Sequence, residues 1–155
     1  MTVVSDASPV NYLVLIDCVH ILPNLFERVF VPRAVHDELL AAGAPDQVKN
    51  WIANAPDWFK VQQVGTVEQT LNHLGEGERE AITLAQSLGA TLLLIDESAG
   101  RRAALERGLR VAGTVGVLEL AAAHGLCDPA EVVRRLQQTN FRVSPRLLQR
   151  LLRLR

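Results

Sequence analysis

The sequence predicts an α/β protein with a mainly parallel central sheet of about four to five strands, flanked by helices. Short β-prone runs alternate with longer segments in which apolar residues recur at helical spacing. In the central run, Leu92–Ile95, four large apolar residues follow one another, which is typical of a strand buried on both faces. An alternation of this kind between strands and helices favours a parallel sheet.

Five short strands are expected, each bounded by turn-forming or capping residues. They cover residues 2–5, 29–31, 59–64 (as an edge strand), 92–95 and 110–112. The helices between them are predicted from Ser8 onward, over 22–26, 32–43, 45–55, 74–89 and 98–106, and then over 115–124, 129–138 and 146–153. Ser8, Ser98, Asp128 and Ser144 are the expected N-caps.

Length and composition fit one folded domain spanning residues 1–155. The chain is 48% hydrophobic, which argues against disorder, and its net charge of −1 gives no overall basic field for nucleic acid. The charge is uneven, since the end of the chain is rich in arginine and has no acid. These arginines are Arg134, Arg135, Arg142, Arg146, Arg150, Arg153 and Arg155.

The sequence gives no support for a disulfide-stabilised, zinc-binding or membrane-spanning protein. Cys18 and Cys127 are far apart and lack CxxC spacing, so we expect free thiols. No apolar run approaches the roughly 20 residues of a membrane span, and the first residues lack a basic leader with a cleavage site. We therefore expect a cytoplasmic protein without a membrane partner.

Two aspartates stand at the ends of predicted strands. Asp6 and Asp96 each follow an apolar strand and precede a helix. This position is at the carboxyl edge of the sheet, where open α/β folds bind ligands. A helix cap is the simpler interpretation of Asp96 alone.

Glutamates in two predicted helices are further candidates. Glu38 lies beside the apolar stripe of its helix, although a solvated position would explain it equally well. Glu78 and Glu80 stand at a helix start, where the helix dipole favours acids. The dipole does not explain why glycines, Gly75 and Gly77, accompany these acids.

If the strands of Asp6 and Asp96 are neighbours, the acids converge at one edge of the sheet. Carboxylates that lie so close together must share protons or bind a cation. A site with only oxygen ligands selects Mg²⁺ or Mn²⁺. Such ions activate water for in-line attack on a phosphodiester. The sequence has no GxGxxG after the first strand, no phosphate-binding GxxxxGK[ST], no GxSxG and no HxxxH or HxH pair.

Four segments of the chain, in this order, resemble the PIN domain, and more closely its DUF3368 branch of small VapC-like prokaryotic proteins. They are residues 3–9, 31–39, 77–85 and 93–97, and residues 100–104 and 113–118 are also similar to that branch. The resemblance implies a three-layer α/β/α fold and an Mg²⁺- or Mn²⁺-dependent ribonuclease acting on RNA. Such proteins are typically toxins held by a cognate antitoxin protein.

Carried over by position, the resemblance implies that an acidic quartet is catalytic and holds the metal, with Ser8 as a polar neighbour. The quartet comprises Asp6, Glu38, Glu78 and Asp96. Many PIN nucleases have Asp at the third position, where this chain has Glu78, with Glu80 also available. The longer side chain changes the reach of the carboxylate at that corner.

Other residues near the predicted site have two interpretations each. Arg101 and Arg102 could neutralise RNA phosphates or form a solvated helix face. Thr114 could hold a phosphate or a water at the metal, but a helix cap is favoured. The C-terminal helices, about 129–155, are expected to pack on their own domain or at the interface of a homodimer rather than on RNA.

Two rival functions remain open on the sequence. One is a catalytically weak module of the same fold that binds nucleic acid or protein, for which Asp6 would be dispensable. The other is a phosphohydrolase of small phosphate esters, which uses an Asp at a strand end as nucleophile. That chemistry needs an Asp-x-Asp or a Lys and Ser/Thr set, which the segment from Asp6 to Ser8 does not supply.

Overall fold

The computed structural model describes residues 1–153, so Leu154 and Arg155, which the C-terminal predictions included, lie outside the described residues. Within residues 1–153 the chain forms one sheet of five parallel strands. They are β1 (Val3–Ser5), β2 (Val29–Pro32), β3 (Phe59–Gln62), β4 (Leu92–Leu94) and β5 (Val111–Ala112). Their order across the sheet is β3-β2-β1-β4-β5.

Strand β1 lies at the centre and pairs with β2 on one side and β4 on the other. Val3 is opposite Val29 in β2 and Leu92 in β4. Beyond the end of β1, the N–H of Asp6 donates to the carbonyl oxygen of Leu94 at 2.8 Å. The carboxyl ends of β1 and β4 are therefore adjacent, at the point where the strand order reverses and open sheets form a binding crevice.

Helices cover both faces of the sheet and make the fold three-layered, α/β/α, as predicted. Over the described residues they are α1 (Ala7–Leu15), α2 (Ile21–Phe26), α3 (Arg33–Leu40), α4 (Asp46–Ala53), α5 (Glu76–Leu88), α6 (Ser98–Glu106), α7 (Thr114–Ala123), α8 (Pro129–Gln137) and α9 (Pro145–Leu152). None of the helices in residues 1–153 is long and apolar enough to cross a membrane.

The central strands β1 and β4 alternate their side chains between two of the buried apolar clusters, as the pleat requires. Val4 and Leu93 are buried with apolar residues of α5 and α6. Val3 and Leu94 face the opposite cluster, which α1, α2, α7 and α8 complete. Leu151 of α9 is fully buried in that second cluster, so α9 packs on its own domain.

Three expected helix caps differ from the prediction. Helix α1 begins at Ala7, one residue before Ser8, so Ser8 is not its N-cap. The Ser8 hydroxyl donates to Asp96 instead. Thr114 is the first residue of α7 and also donates to Asp96, while Ser98 is the first residue of α6. The hydroxyls of Ser8 and Thr114 donate to the Asp96 carboxylate instead of accepting from a backbone N–H at the start of a helix. The two other caps are present, at Asp128 and Ser144.

Candidate active site

Asp6 is the most buried acid at the carboxyl edge of the sheet. It follows β1 directly and is 5% exposed. The pKa of its carboxyl is raised to about 7, mainly by burial, although a hydrogen bond from the Ala7 backbone lowers it. The negative charges of Glu78, Glu38 and Asp96 contribute to this rise, so all four acids of the quartet interact at this edge.

Gly77, in the first turn of α5, lets two of these acids approach each other. A Cβ at this position would lie 3.1 Å from Oε1 of Glu38 and 3.5 Å from Oδ1 of Asp6. Glu38 is exposed overall, yet partial burial raises its carboxyl pKa. A side chain at Gly77 would fill the space between the two carboxylates, which accounts for glycine beside the acids of this helix.

Glu78 presents one carboxylate oxygen that is buried without a partner. Its Oε1 accepts a long hydrogen bond, 3.4 Å, from the Gly75 N–H, whereas Oε2 has no hydrogen-bond partner. Burial raises the pKa of this carboxyl, Gly75 lowers it, Glu97 and Glu38 raise it, and His73 lowers it. Leaving an acceptor unpaired in this way costs stability, so Oε2 is suited to a ligand.

Asp96 is fixed by hydrogen bonds from two elements. Its Oδ2 accepts from the hydroxyls of Ser8 at 2.7 Å and Thr114 at 2.8 Å. Its Oδ1 accepts from the Thr114 N–H at 2.7 Å. A Cβ at Gly113 would lie only 2.7 Å from the same Oδ1, so this contact also requires a glycine. Ser8 and Thr114 therefore orient the acid.

The two arginines after β4 have different surroundings. Arg101 is half-buried, and its Nη1 donates to the Ile95 carbonyl at 3.1 Å, close to the Gly113 position that Asp96 contacts. Arg102 is exposed and, unlike Arg101, does not line the cavity beside Asp96. Arg101 is thus the better placed of the two for a phosphate at Asp96.

Glu80 links two helices and does not join the cluster. Its Oε1 accepts a hydrogen bond of 3.1 Å from the N–H of Ala34, in the first turn of α3. This contact satisfies a backbone donor at the start of the helix that carries Glu38. Glu80 is therefore placed to hold α3 against α5.

Residues distant in sequence complete the surroundings of Asp96. A cavity of about 800 Å³ opens beside it, between α6, β5, α7 and the segment 140–150. Tyr12, Asn140 and Phe141 are among the residues that line it. These three residues carry no local signal in the sequence and were not predicted. Glu97 also lines the cavity; it stands next to Asp96 at the strand end, but it was not among the predicted site residues.

The donor chemistry of the quartet fits a hard divalent cation. All the donors are carboxylate oxygens, and within residues 1–153 none of the four forms an ion pair with a basic side chain. In the same residues, no three His, Cys, Asp or Glu side chains are arranged as a ready-made metal cage. Mg²⁺ keeps several waters and is commonly held by one or two carboxylates, so the donor set still fits.

A parallel sheet in this order, with acids at its central crevice, is the architecture of a PIN-like, nuclease-type protein. The fold is similar to that of a PilT N-terminus domain protein from the hyperthermophilic archaeon Sulfolobus solfataricus P2, with a TM-score of 0.53 and 14% identity. The match covers 93% of this chain and 100% of that chain.

The family model DUF3368, described as a PIN domain, matches residues 2–155, and the chain belongs to this family. A search of curated proteins gives no match. The resemblance and the fold class predicted from the sequence are therefore confirmed.

Proposed function

We propose that this protein is an Mg²⁺- or Mn²⁺-dependent endoribonuclease that hydrolyses RNA phosphodiester bonds. The observation that carries the proposal is the nearly inaccessible Asp6 carboxylate, which faces three other acids and forms no ion pair within residues 1–153. Such a cluster is stable at neutral pH only if it shares protons or binds a cation. Membership of the PIN-domain family supports a nucleic-acid substrate.

The residues take distinct roles in this proposal. Asp6 and Asp96 hold the principal ion, while Glu38 and the unpartnered Oε2 of Glu78 complete the site. A cation held by these residues would supply a water of lowered pKa and would offset negative charge on the phosphoryl oxygens. Ser8 and Thr114 keep Asp96 in one orientation, because their hydroxyls both donate to Oδ2.

A second candidate function, a catalytically weak module that binds nucleic acid or protein, is favoured by one observation. In the described part of the chain the acids do not form a preassembled metal cage. A binding module would keep its function without Asp6, whereas a nuclease would lose it. The Asp6→Asn variant therefore separates the two candidates.

We further propose that the nuclease is a toxin, held by a cognate antitoxin protein and assembled as a homodimer. The support is the family alone. If this is correct, expression of the wild type arrests growth and expression of Asp6→Asn does not. Equal growth with both would contradict the toxin role and leave the nuclease proposal standing.

The deciding experiment is RNA cleavage by the purified protein with Mn²⁺ or Mg²⁺, against EDTA. We expect cleavage that needs the metal and is abolished by Asp6→Asn and by Asp96→Asn. Asp37→Asn is the matched control, since Asp37 is an exposed acid on the same helix as Glu38. A folded wild type that cuts nothing in either metal would contradict the proposal.

A further inference from the structure

The cavity beside Asp96 continues the candidate site toward the C-terminal segment. We name it the C-terminal groove, defined by Tyr12, Arg101, Asn140, Phe141 and Arg142, with a volume of about 800 Å³. This volume lies within the range that small-molecule sites span, so it admits one unstacked nucleotide with its phosphate. Because the groove shares Asp96 with the acidic cluster, a chain cut there would pass through it.

The cations of the groove suit a phosphate backbone. Arg101 donates only to the Ile95 carbonyl, and no acid lies within ion-pair distance of Arg101 or Arg142 in residues 1–153. Arg150, in contrast, is bound at 2.7 and 2.9 Å to both carboxylate oxygens of Glu119. The positive charge available to a phosphate in the groove is therefore that of Arg101, beside Asp96, and of Arg142.

The groove also carries an aromatic pair. The rings of Tyr12 and Phe141 meet edge to face with centroids 4.8 Å apart. The Tyr12 hydroxyl donates to Oδ1 of Asn140 at 2.7 Å, which fixes the amide and leaves its Nδ2 donors for a base edge. Both aromatic side chains are half-buried and rest on the core, so their orientation is set before any ligand binds.

We propose that the C-terminal groove binds the nucleotide next to the cleaved bond of a single-stranded RNA, with its base stacked on the ring of Phe141, which Tyr12 holds in place edge to face. Arg101 and Arg142 contact the phosphates on either side. Stacking requires a base that is not paired within a helix, which is why the groove favours a single strand over a duplex. The inference rests on the proposed function for the position of the cut, but the binding it describes does not depend on cleavage.

Binding is tested in the Asp6→Asn background, where cleavage is not expected. The probe is a 5′-labelled, unstructured RNA of about ten nucleotides, followed by fluorescence anisotropy. We expect Phe141→Leu, which keeps an apolar side chain against the core, to weaken binding about tenfold, and Phe141→Trp to restore it. Arg142→Gln should lower the salt-dependence slope by about 0.7, the amount for one phosphate contact on a single strand.

Arg28→Gln is the matched control. Arg28 is exposed and precedes β2, so it lies at the opposite, amino edge of the sheet. We expect Arg28→Gln to bind as the parent does, and a duplex of the same sequence to bind more weakly than the single strand. Thermal unfolding of each variant establishes that it is folded.

Unchanged binding by folded Phe141→Leu and Arg142→Gln would overturn the proposal, as would a parent that does not bind the single strand. In either case the groove would be open to a protein partner. Binding that needs the groove, without cleavage by the wild type, would uphold this inference while the nuclease proposal failed. If both groove variants cleave RNA with an unchanged KM, the nuclease proposal stands and the groove inference fails.

Discussion

Asp6 shows how one buried carboxyl group sets the energetics of the site. A pKa raised from 3.8 to about 7 means that the folded chain holds the proton more tightly than the unfolded chain does. The stabilising contribution of the protonated group is complete below pH 3.8. It is lost as the pH rises to about 7. Above that pH, in the absence of a cation, the fold carries the full cost of a buried charge.

We therefore expect Asp6→Asn to raise the free energy of unfolding in EDTA by up to about 4 kcal/mol at pH 8, and by much less at pH 5. The amide resembles the protonated acid in shape and carries no charge. Urea denaturation at the two pH values measures the difference. Asp37→Asn, which removes an exposed acid, should show little gain at either pH, and an equal gain for Asp6→Asn at both would contradict the assignment.

Gly100 is a second residue whose identity the site dictates. A Cβ at this position would lie 2.5 Å from Oε2 of Glu78 and 2.6 Å from Cδ1 of Ile95. We expect Gly100→Ala to destabilise the protein by about 1–3 kcal/mol, because Ile95 is fully buried and cannot move away freely. The same substitution should reduce metal-dependent cleavage, since Glu78 must shift.

Gly43→Ala is the matched control for Gly100→Ala. Nothing lies within 4 Å of a Cβ at Gly43, and its backbone does not have a positive φ. Thermal unfolding and an RNA cleavage assay of both variants give the comparison. Similar melting temperatures for the two variants would contradict this expectation, since Glu78 and Ile95 would then move away from the new Cβ at little cost in stability.

The two strand-end acids could be predicted from the sequence because the strands that precede them are short and strongly apolar. Strand β4 ends two residues before Asp96, and β1 ends one residue before Asp6. The end of each apolar run therefore marks the position of an acid. The roles of Ser8 and Thr114 could not be obtained in this way. A hydroxyl at a helix start predicts a cap, and only the strand order brings Asp96 close enough to compete for it.

The C-terminal groove lay beyond sequence reasoning for a related reason. Asn140, Phe141 and Arg142 lie in an irregular segment between α8 and α9, without periodicity or a motif. Their contact with Tyr12 joins residues more than 120 positions apart. The sequence shows that the C-terminal run is basic. It does not show that Glu119 pairs with Arg150, or that Arg142 has no acid within ion-pair distance in residues 1–153.

Helix α9 closes this side of the molecule through one side chain in particular. Leu151 is fully buried, whereas its neighbour Leu152 is 36% exposed. We expect Leu151→Ala to cost about 2–5 kcal/mol in the free energy of unfolding, and Leu152→Ala to cost under about 1 kcal/mol. Chemical denaturation of the two variants tests this. Equal costs would mean that α9 does not dock as described.

At the scale of the whole molecule, a net charge of −1 hides an uneven distribution that suits the proposed function. Acids gather at the carboxyl ends of β1 and β4, while arginines dominate the chain after Arg134. The groove lies where these two regions meet. A cation in the acidic cluster would remove the repulsion that RNA phosphates meet at the cut, so metal binding and RNA binding should support each other.

The same charge distribution links metal binding, folding and pH. A cation that binds only the folded protein raises its melting temperature, and it must displace the proton that Asp6 holds up to about pH 7. We expect Mn²⁺ affinity to fall about tenfold between pH 8 and pH 6, because one proton competes. The rise in melting temperature with Mn²⁺ should therefore be larger at pH 8.

Differential scanning calorimetry with millimolar MnCl₂ against EDTA, at both pH values, measures this linkage. Asp6→Asn lacks the Asp6 proton, so any residual Mn²⁺ effect on its melting temperature should depend less on pH between 6 and 8 than the effect on the wild type does. Asp37→Asn should behave as the wild type. If Mn²⁺ raises the melting temperature of the wild type equally at both pH values, the cation binds away from Asp6. That result would contradict the assignment of Asp6 as a principal ligand.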